Sequence, residues 1–352
     1  MKIAQIAPLY ESVPPKLYGG TERVVANLCD ALTDLGHEVV LFAAGDARTK
    51  ASLVASRERA LRLDPDPLKC SLSAHLAMLH EVRRLAAGFD VLHFHTDPLH
   101  FPVFENVASR TVTTLHGRLD MPDLHAVLAC WPNFALVSIS DSQRRPIPNA
   151  NWLATVRHGI ASELYRPAAH PERSYLAFLG RISPEKRVDR AIHLARQTGM
   201  PLKIAAKVDR ADTAYFDSAV RPLLADPLIE FVGEIGDAEK PQFLGNALAL
   251  LFPIQWPEPF GLVMIESMAC GTPVVAFNCG SIPEVLDDGI SGFIVNSEEE
   301  AIHAIEKCKG LSRTRVRETF ERRFTAQAMA EAYVDVYKKV TVSPRKYVRL
   351  AS

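Results

Sequence analysis

The sequence Lys2-Ile3-Ala4-Gln5-Ile6-Ala7 opens the 352-residue chain as a short, apolar run with strand composition. A loop rich in proline and glycine follows it. A helical pattern then covers Thr21–Leu35 and ends at Gly36. The next apolar run, Glu38–Ala43, again has strand composition. A strand, a helix and a second strand in this order are typical of a βαβ unit, so this stretch predicts a parallel sheet covered by helices.

The same alternation continues along the chain and predicts an α/β protein of two Rossmann-like domains. Further strands of the first domain are expected at Asp90–His93, Thr111–Leu115, Ala135–Ile139 and Leu153–Val156. Strands of the second domain are expected at Tyr175–Leu179, Leu202–Ala206, Ile229–Val232, Ala247–Phe252 and Pro273–Phe277. Helices are expected at Val188–Thr198, Tyr215–Leu224, Pro259–Ala269, Glu298–Cys308, Arg313–Phe320 and Ala326–Val340. We place the first domain at residues 1–165 and the second at 166–325.

The composition limits the classes of function. Hydrophobic residues make up 48% of the chain and the formal net charge is -1, so the bulk charge does not indicate a nucleic-acid partner. The six cysteines form no CxxC pair and lie in mostly apolar segments, which is typical of reduced thiols. No signal peptide precedes the first strand, and the apolar runs are shorter than a membrane span. We therefore expect a cytoplasmic protein, and peripheral association with the inner membrane face stays open.

The first candidate site is the pair Gly19-Gly20, which lies between the first strand and the first helix. Two glycines let a backbone approach a ligand closely, and a helix N-terminus attracts an anion. An ordinary tight turn would use the same pair. The loop does not match the dinucleotide fingerprint, because it is too long and lacks a third glycine.

A second candidate, Gly180-Arg181-Ile182-Ser183-Pro184-Glu185-Lys186, directly follows the first strand of the second domain. Ligands of such folds bind at the carboxyl ends of parallel strands. Arg181 and Lys186 could both face a diphosphate there. The alternative is a solvated basic helix start in which Glu185 is the charge partner.

The third candidate is Trp256-Pro257-Glu258-Pro259-Phe260-Gly261-Leu262-Val263-Met264-Ile265-Glu266, after a strongly apolar strand. Pro259 suits the first position of a helix, and the backbone amides that follow would then face a bound phosphate. Glu258 would lie at the mouth of that helix. Glu266 lies two turns inside an apolar run and needs a partner, either ribose hydroxyls or a cation in the core.

Histidines supply the fourth candidate. His116 follows an expected strand and could donate to a phosphate or a sugar hydroxyl, although a lone histidine is more often structural. His93 and His95 alternate along one strand face and suit two metal ligands, but no third ligand stands at a recognisable spacing. The triplet Asp64-Pro65-Asp66 resembles a metal-binding DxD but follows no apolar strand, so we interpret it as a turn.

Together these motifs resemble glycosyltransferase family 4, the large retaining family with the two-domain GT-B fold. The resemblance covers the chain from Lys2 to about Val340. Its most specific element is E-x7-E, which Glu258 and Glu266 match within the setting E-P-F-G-L…E-S-M-A-C-G-T-P-V-V. The segment Gly280–Val285 also resembles the family after the following strand.

The resemblance implies a role for each candidate. Gly19 and Gly20 would line the donor diphosphate, and Arg181 and Lys186 would neutralise its charge. Glu258 would contact donor-sugar hydroxyls. Further roles are implied for Glu266 at the nucleotide ribose, for His116 at the sugar and phosphate near the reacting carbon, and for the backbone of Phe260, Gly261 and Leu262 at the sugar and phosphates.

The implied function is transfer of a hexosyl group from UDP or GDP, with retention, without a metal or another cofactor, to a glycan, lipid-linked or small-molecule acceptor. The cleft would lie between the domains, and helix 326–340 would pack back on the first one. A non-catalytic nucleotide-sugar-binding module and a nucleotide-sugar epimerase are the alternatives. The sequence departs from the family at Ala206-Lys207-Val208-Asp209, where a glycine turn is common, and Lys207 becomes an extra phosphate-binding candidate. It also departs at Ala161, where an aspartate is common.

Overall fold

The computed structural model describes residues 1–66 and 68–342, and within them thirteen strands form two fully parallel sheets. The first sheet has the order β3-β2-β1-β4-β5-β6-β7. Its strands are β1 Lys2–Ile6, β2 Glu38–Ala44, β3 Ser52–Arg57, β4 Val91–Phe94, β5 Thr111–Thr114, β6 Ala135–Ser138 and β7 Trp152–Thr155. The second sheet has the order β10-β9-β8-β11-β12-β13. Its strands are β8 Leu176–Ile182, β9 Leu202–Val208, β10 Ile229–Gly233, β11 Ala249–Phe252, β12 Val274–Phe277 and β13 Gly292–Val295.

Helices cover both faces of each sheet. In the described part of the chain they are α1 Gly20–Asp34, α2 Ser71–Leu85, α3 Phe101–Phe104, α4 Pro122–Cys130, α5 Asp141–Arg144, α6 Val188–Thr198, α7 Thr213–Tyr215, α8 Lys240–Gly245, α9 Leu262–Ala269, α10 Ile282–Val285, α11 Glu298–Cys308, α12 Arg313–Arg323 and α13 Ala326–Val342. The central strands β4, β5, β11 and β12 are buried along their whole length, because helices exclude water from both sides. Each sheet thus separates two apolar layers.

The final helix α13 packs against α1 and the first sheet, although it follows the second sheet in sequence. Its Tyr333 and Tyr337 are fully buried in that core. The chain returns to the first sheet through a bridge between Ile160 and Thr325. Gly159 is required beside this bridge, because a Cβ there would lie 2.2 Å from the Thr325 carbonyl oxygen. The first sheet ends at Thr155 and the second begins at Leu176, so the predicted boundary near residue 165 falls in the segment between them.

The predicted elements agree with the structure except in a few polar or proline-containing segments. The predicted bounds of α6 and α11 are those observed. The predicted helix 215–224 was wrong as a regular helix: a π turn and a 3-10 turn replace it, since Pro222 lacks the amide that a helix needs. The edge strands β3 and β13 and the helices α2, α3, α4, α5, α8 and α10 were not predicted. Asp64 and Asp66 accept backbone amides two residues on, so the predicted turn is confirmed.

All six cysteines carry free thiols. In residues 1–66 and 68–342 there is no helix whose length and hydropathy would let it cross a membrane.

Candidate functional site

A cleft of about 730 Å³ lies between the two sheets. Its walls are the segments that follow the carboxyl ends of β1, β4 and β5 on one side and of β8, β9 and β11 on the other, where parallel sheets bind ligands. The ten residues to which the resemblance assigns a role all line it: Gly19, Gly20, His116, Arg181, Lys186, Glu258, Phe260, Gly261, Leu262 and Glu266. The fold therefore brings together candidates that are spread over about 250 residues of sequence.

Glu266 on α9 is 1% exposed, and its two carboxylate oxygens have different surroundings. Oε1 accepts hydrogen bonds from Lys240 Nζ at 2.8 Å and from Tyr165 Oη at 2.9 Å. Oε2 is buried without a hydrogen-bond partner among the described residues. Burial alone would raise the pKa of Glu266, but the charges of Lys240 and Arg23 outweigh burial and lower it. The cation partner considered from the sequence is therefore present at one oxygen, and the ribose contact stays a prediction for the other.

Arg23 reaches this cluster from the opposite domain. It lies on α1, directly after the Gly19-Gly20 loop, and is only 4% exposed. Its guanidinium forms an ion pair with Asp237 and lies 3.7 Å from Glu266 Oε1. Sequence reasoning missed Arg23, Tyr165, Asp237 and Lys240, because their pairing depends on contacts between segments far apart in the chain.

Glu258 lies in the loop four residues before the start of α9 and is 9% exposed. Its Oε2 accepts hydrogen bonds from Trp256 Nε1 at 2.9 Å and from Lys186. The Lys186 ammonium also lies 5.1 Å from the Trp256 ring and 5.6 Å from the Phe252 ring, so cation–π attraction helps to position it. Oε1 makes no hydrogen bond within residues 1–66 and 68–342, so this oxygen can accept from a ligand.

The loop before α9 has a different shape from the predicted one. The helix begins at Leu262 and not at Pro259, because Gly261 adopts a left-handed conformation (φ 83°) as its N-cap. The amides that face the cleft at the helix start are therefore those of Leu262 and Val263. The carbonyl of Phe260 is instead occupied by the Ser281 hydroxyl at 3.0 Å.

Gly280 supports the backbone of Glu258. Its φ is 60°, and a Cβ there would lie 2.4 Å from the Glu258 amide nitrogen and 2.5 Å from its carbonyl oxygen. The next amide, that of Ser281, donates to the same carbonyl at 3.0 Å. The position of the Glu258 carboxylate therefore depends on the absence of a side chain at residue 280.

We expect Gly280→Ala to lower the activity by about 100-fold or more, because a shift of about 1 Å in a positioned group has costs of this size. Steady-state kinetics on the purified variant would measure the loss. Gly88→Ala is the matched control, since a Cβ at Gly88 meets no atom within 4 Å and Gly88 lies outside the cleft. Equal activities for Gly280→Ala and wild type would contradict the supporting role.

Arg181 lies near the carboxyl end of β8, close to three carboxylates. It donates to Glu185 Oε1 at 2.6 Å, and Asp212 and Asp209 lie 3.6 and 3.8 Å away. The ion pair with Glu185 considered from the sequence is therefore present, yet Arg181 still lines the cleft, and its Nε has no hydrogen-bond partner in the described part of the chain. Lys207 also lines the cleft, 3.1 Å from Asp209 and 5.6 Å from the Tyr18 ring.

The two glycines bring the first domain close to α9. A Cβ on Gly19 would lie 2.7 Å from the Pro15 side chain, so this position tolerates only glycine. A Cβ on Gly20 would touch Leu262 at 3.4 Å, directly across the cleft. The backbone of one domain thus lies against the start of α9 in the other.

His116 follows β5 and contacts two other histidines. Its Nε2 lies 2.8 Å from His95 Nδ1, and its Nδ1 lies 3.4 Å from His158 Nε2. Burial lowers the pKa of His116 to about 3, so the ring is neutral at physiological pH. His158 stacks on His116 and packs edge-on against Phe260. Sequence reasoning missed His158, which lies in the connector outside any recognised motif.

His93 and His95 are the two metal-ligand candidates from the sequence. The two rings lie 4.1 Å apart on one strand face, as the alternation predicts. Their nitrogens face other partners: His93 bonds Tyr337 and Thr114, and His95 bonds Gln5 and His116. Across residues 1–66 and 68–342, no three His, Cys, Asp or Glu groups are arranged to hold a metal ion.

Two carboxylates line the first-domain half of the cleft. Asp97 has a left-handed backbone (φ 49°), a strained conformation that is enriched at functional sites. Burial raises the pKa of Asp97. Glu22, on the first turn of α1, is 6% exposed, and burial raises its pKa too. Hydroxyl groups of a second substrate are suitable partners for both.

Comparison with known proteins supports this description. Two family models match: "Glycosyltransferase Family 4" over residues 18–173 and "Glycosyl transferases group 1" over residues 164–321. The chain is similar to an alpha-maltose-1-phosphate synthase of Mycobacterium tuberculosis, with 24% identity over 96% of this chain and 99% of that one.

Two solved structures share the architecture. One is AviGT4, a glycosyltransferase involved in avilamycin A biosynthesis, with 25% identity, a TM-score of 0.75, and 98% and 99% of the two chains covered. The other is Anabaena HepE in complex with UDP and glucose, with 18% identity, a TM-score of 0.74, and 96% and 99% covered. The predicted α/β fold of the GT-B type is thereby confirmed. The chain belongs to the family-4 type of glycosyltransferases and is an enzyme of glycosyl transfer.

Proposed function

We propose that this protein transfers a hexosyl group from a nucleoside-diphosphate sugar to a hydroxyl of an acceptor, with retention of configuration and without a metal ion. The donor is linked to UDP or GDP, and the acceptor is a glycan, a lipid-linked sugar or a small molecule. The observation that carries the proposal is Glu266 on the wall of the cleft. Lys240 and Tyr165 hold its Oε1, while its Oε2 is buried and has no partner among the residues that the structure describes. A ribose hydroxyl would satisfy this oxygen.

Cations on the second-domain wall support the diphosphate position. Arg181, Lys186 and Lys207 line the same cleft as the start of α9. When the bond from the sugar C1 to the phosphate oxygen breaks, negative charge develops on the leaving diphosphate. Fixed cations and helix-start amides stabilise that charge more than they stabilise the intact donor, and this lowers the barrier. The chain itself thus supplies the neutralisation that a metal would otherwise give.

The surroundings of Glu258 support a same-face reaction. Its Oε2 is held by Lys186 and Trp256, so this carboxylate is arranged to orient hydroxyls through Oε1 rather than to attack carbon. The acceptor oxygen would bond to C1 on the face that the diphosphate leaves, and its proton would pass to a phosphate oxygen. Trapping of a covalent sugar on Glu258 would contradict this mechanism.

Other features support the choice of substrates. HepE, which has the same fold, was solved with UDP and glucose, and we therefore favour UDP. Asp97 and Glu22 line the first-domain half of the cleft, and on this ground we propose that the acceptor hydroxyls bind there. The six free thiols favour a reducing compartment, and we assign the protein to the cytoplasm.

We expect UDP or GDP to raise the melting temperature of the wild type, and Glu266→Gln to weaken that binding by about 10-fold to 100-fold. A nucleotide at about 100 times its Kd stabilises by about 2.7 kcal/mol. A hydrogen bond to a charged group contributes about 1.5–3 kcal/mol, which sets the expected loss. A thermal-shift titration with UDP, GDP and ADP measures both quantities, each variant against its own ligand-free baseline.

Glu306→Gln is the matched control, because Glu306 is exposed on α11 far from the cleft and should titrate like the wild type. Absence of any shift at millimolar nucleotide would refute the nucleotide site. Incubation with donor alone then separates the activities. Slow release of free sugar supports a transferase, an isomeric nucleotide sugar would indicate an epimerase, and no reaction would indicate a binding module.

A further inference from the structure

A chain of buried hydrogen bonds connects the final helix to the cleft. Gln5 Nε2 donates to Tyr337 Oη on α13 at 2.9 Å, and Gln5 Oε1 lies 2.9 Å from His95 Nε2. His95 Nδ1 lies 2.8 Å from His116 Nε2. Tyr337 and Gln5 are fully buried and His95 is 3% exposed, whereas His116 lines the cleft. The chain therefore runs along the face of the first sheet that α13 covers, to the cleft beyond the carboxyl ends of β4 and β5, without passing through solvent.

The direction of this chain sets the proton positions. Because Gln5 donates through its nitrogen to Tyr337, only its carbonyl oxygen faces His95, and His95 must carry its proton on Nε2. Burial keeps the pKa of His95 well below its ordinary value, so the ring is neutral and its Nδ1 is a bare acceptor. His116 must then carry its own proton on Nε2 to donate to His95. The Nδ1 atom of His116 then carries a lone pair and no proton.

The other contact of Tyr337 favours this direction. Tyr337 Oη also lies 2.8 Å from His93 Nδ1. A phenol is a better donor than a neutral imidazole, and an imidazole nitrogen is a better acceptor than a phenol oxygen. The Tyr337 hydroxyl therefore donates to His93, and its oxygen accepts from Gln5. His93 then carries its proton on Nε2, and this nitrogen donates to Thr114 Oγ1 at 2.7 Å.

We propose that Tyr337 is a positioning residue for His116: it sets the tautomer in which His116 offers the cleft an acceptor and no proton. In that tautomer Nδ1 can accept from a donor-sugar hydroxyl in place of the long 3.4 Å contact with His158, but it cannot donate to a phosphate oxygen. This narrows the role that the family resemblance implies for His116. The assignment of the hydroxyl to a donor sugar rests on the proposed function, whereas the tautomer does not.

The tautomer is tested by 15N NMR of histidine-labelled full-length protein near pH 7.5, with the His116 signals assigned from a His116→Gln variant. The Nε2–H form is expected in the wild type. In Tyr337→Phe, Gln5 loses its acceptor and can turn over, so the Nδ1–H form of His116 should appear. With saturating donor, kcat should fall about tenfold, which corresponds to one weak transition-state hydrogen bond.

Tyr333→Phe is the matched control: it removes a hydroxyl from the same helix, but that hydroxyl contacts Thr114 and lies off the Gln5 chain. It should leave the His116 tautomer and kcat unchanged. Gln5→Met cuts the chain at its next link and should reproduce the spectrum of Tyr337→Phe, which covers the case in which that variant folds poorly. An Nδ1–H form in the wild type, or an unchanged tautomer in both chain variants, would overturn the proposal. The spectra need no nucleotide sugar, so they hold whether or not the proposed donor binds.

Discussion

Between pH 6.5 and pH 5 the protein should lose most of its free energy of unfolding. Burial lowers the pKa of a group of histidines in the first domain and connector, that of His116 to about 3 and the others well below their ordinary range. They are His93, His95, His100, His116 and His158. In the unfolded chain each imidazole takes up a proton near pH 6.5, whereas the native chain stays neutral. The unfolded state thus binds more protons throughout this window, and stability falls as the pH falls.

The size of the expected loss in unfolding free energy follows from the linkage between proton binding and stability. Each such histidine removes up to about 1.4 kcal/mol per pH unit below 6.5, and five together remove up to about 7 kcal/mol per pH unit. An ordinary protein has only about 5–15 kcal/mol in total. Protonation also breaks a specific contact. If His95 and His116 were both charged, their two facing nitrogens would each carry a proton, and neither could accept a hydrogen bond from the other. Urea denaturation at constant ionic strength, from pH 7.5 to 5, measures the slope.

A single-site variant tests the cause. His100 lies outside the cleft, stacked on Phe94 at 3.7 Å, and His100→Gln should reduce the slope by about 1.4 kcal/mol per pH unit. His303→Gln is the control, because His303 is exposed on α11. A free energy of unfolding that stays constant from pH 7 to 5 would show that these rings take up protons in the folded protein.

Local sequence patterns predicted the helices and strands whose bounds depend on nearby residues. Val188–Thr198 has strong helical periodicity and ends at Gly199 in the left-handed conformation, so both of its bounds followed from local rules. The segment 213–225 has a helical apolar pattern as well, but Pro222 interrupts it. The edge strand Ser52–Arg57 has no fully buried residue, so it lacks the apolar run that marked the central strands.

The candidate site also has residues that could be predicted from the sequence and residues that could not. Residues at the carboxyl ends of strands could be predicted, because topology alone brings such ends together. Arg181 lies near the end of β8, His116 lies two residues after β5, and Glu258 lies in the loop after β11. The partners of Glu266 could not, because Arg23 and Lys240 reach it from other elements of the two domains. The start of α9 was placed three residues early, since Pro259 suits a first helical turn and the left-handed backbone of Gly261 has no unique sequence signature.

Replacing Lys186 with methionine should lower kcat/KM by about 100-fold to 1,000-fold, the range measured when one preorganised electrostatic group is removed from an active site. Methionine keeps most of the apolar stem between Phe252 and Trp256 and removes the charge. Initial rates with the donor identified by thermal shift would measure the loss. Lys309→Met is the control, because Lys309 is exposed and its ion-pair partner is Glu306.

The loss has two physical explanations, and a double variant separates them. Lys186 could act only by neutralising and orienting Glu258, which it contacts directly. Glu258→Gln would then make the lysine dispensable, and the double variant Lys186→Met/Glu258→Gln would be no worse than Glu258→Gln alone. If Lys186 also stabilises the leaving diphosphate, as we propose, the double variant should be about tenfold or more less active than Glu258→Gln alone, because coupling between neighbours removes only part of the combined loss. A double variant as active as Glu258→Gln alone would therefore move the neutralising role from Lys186 to Arg181 and the start of α9.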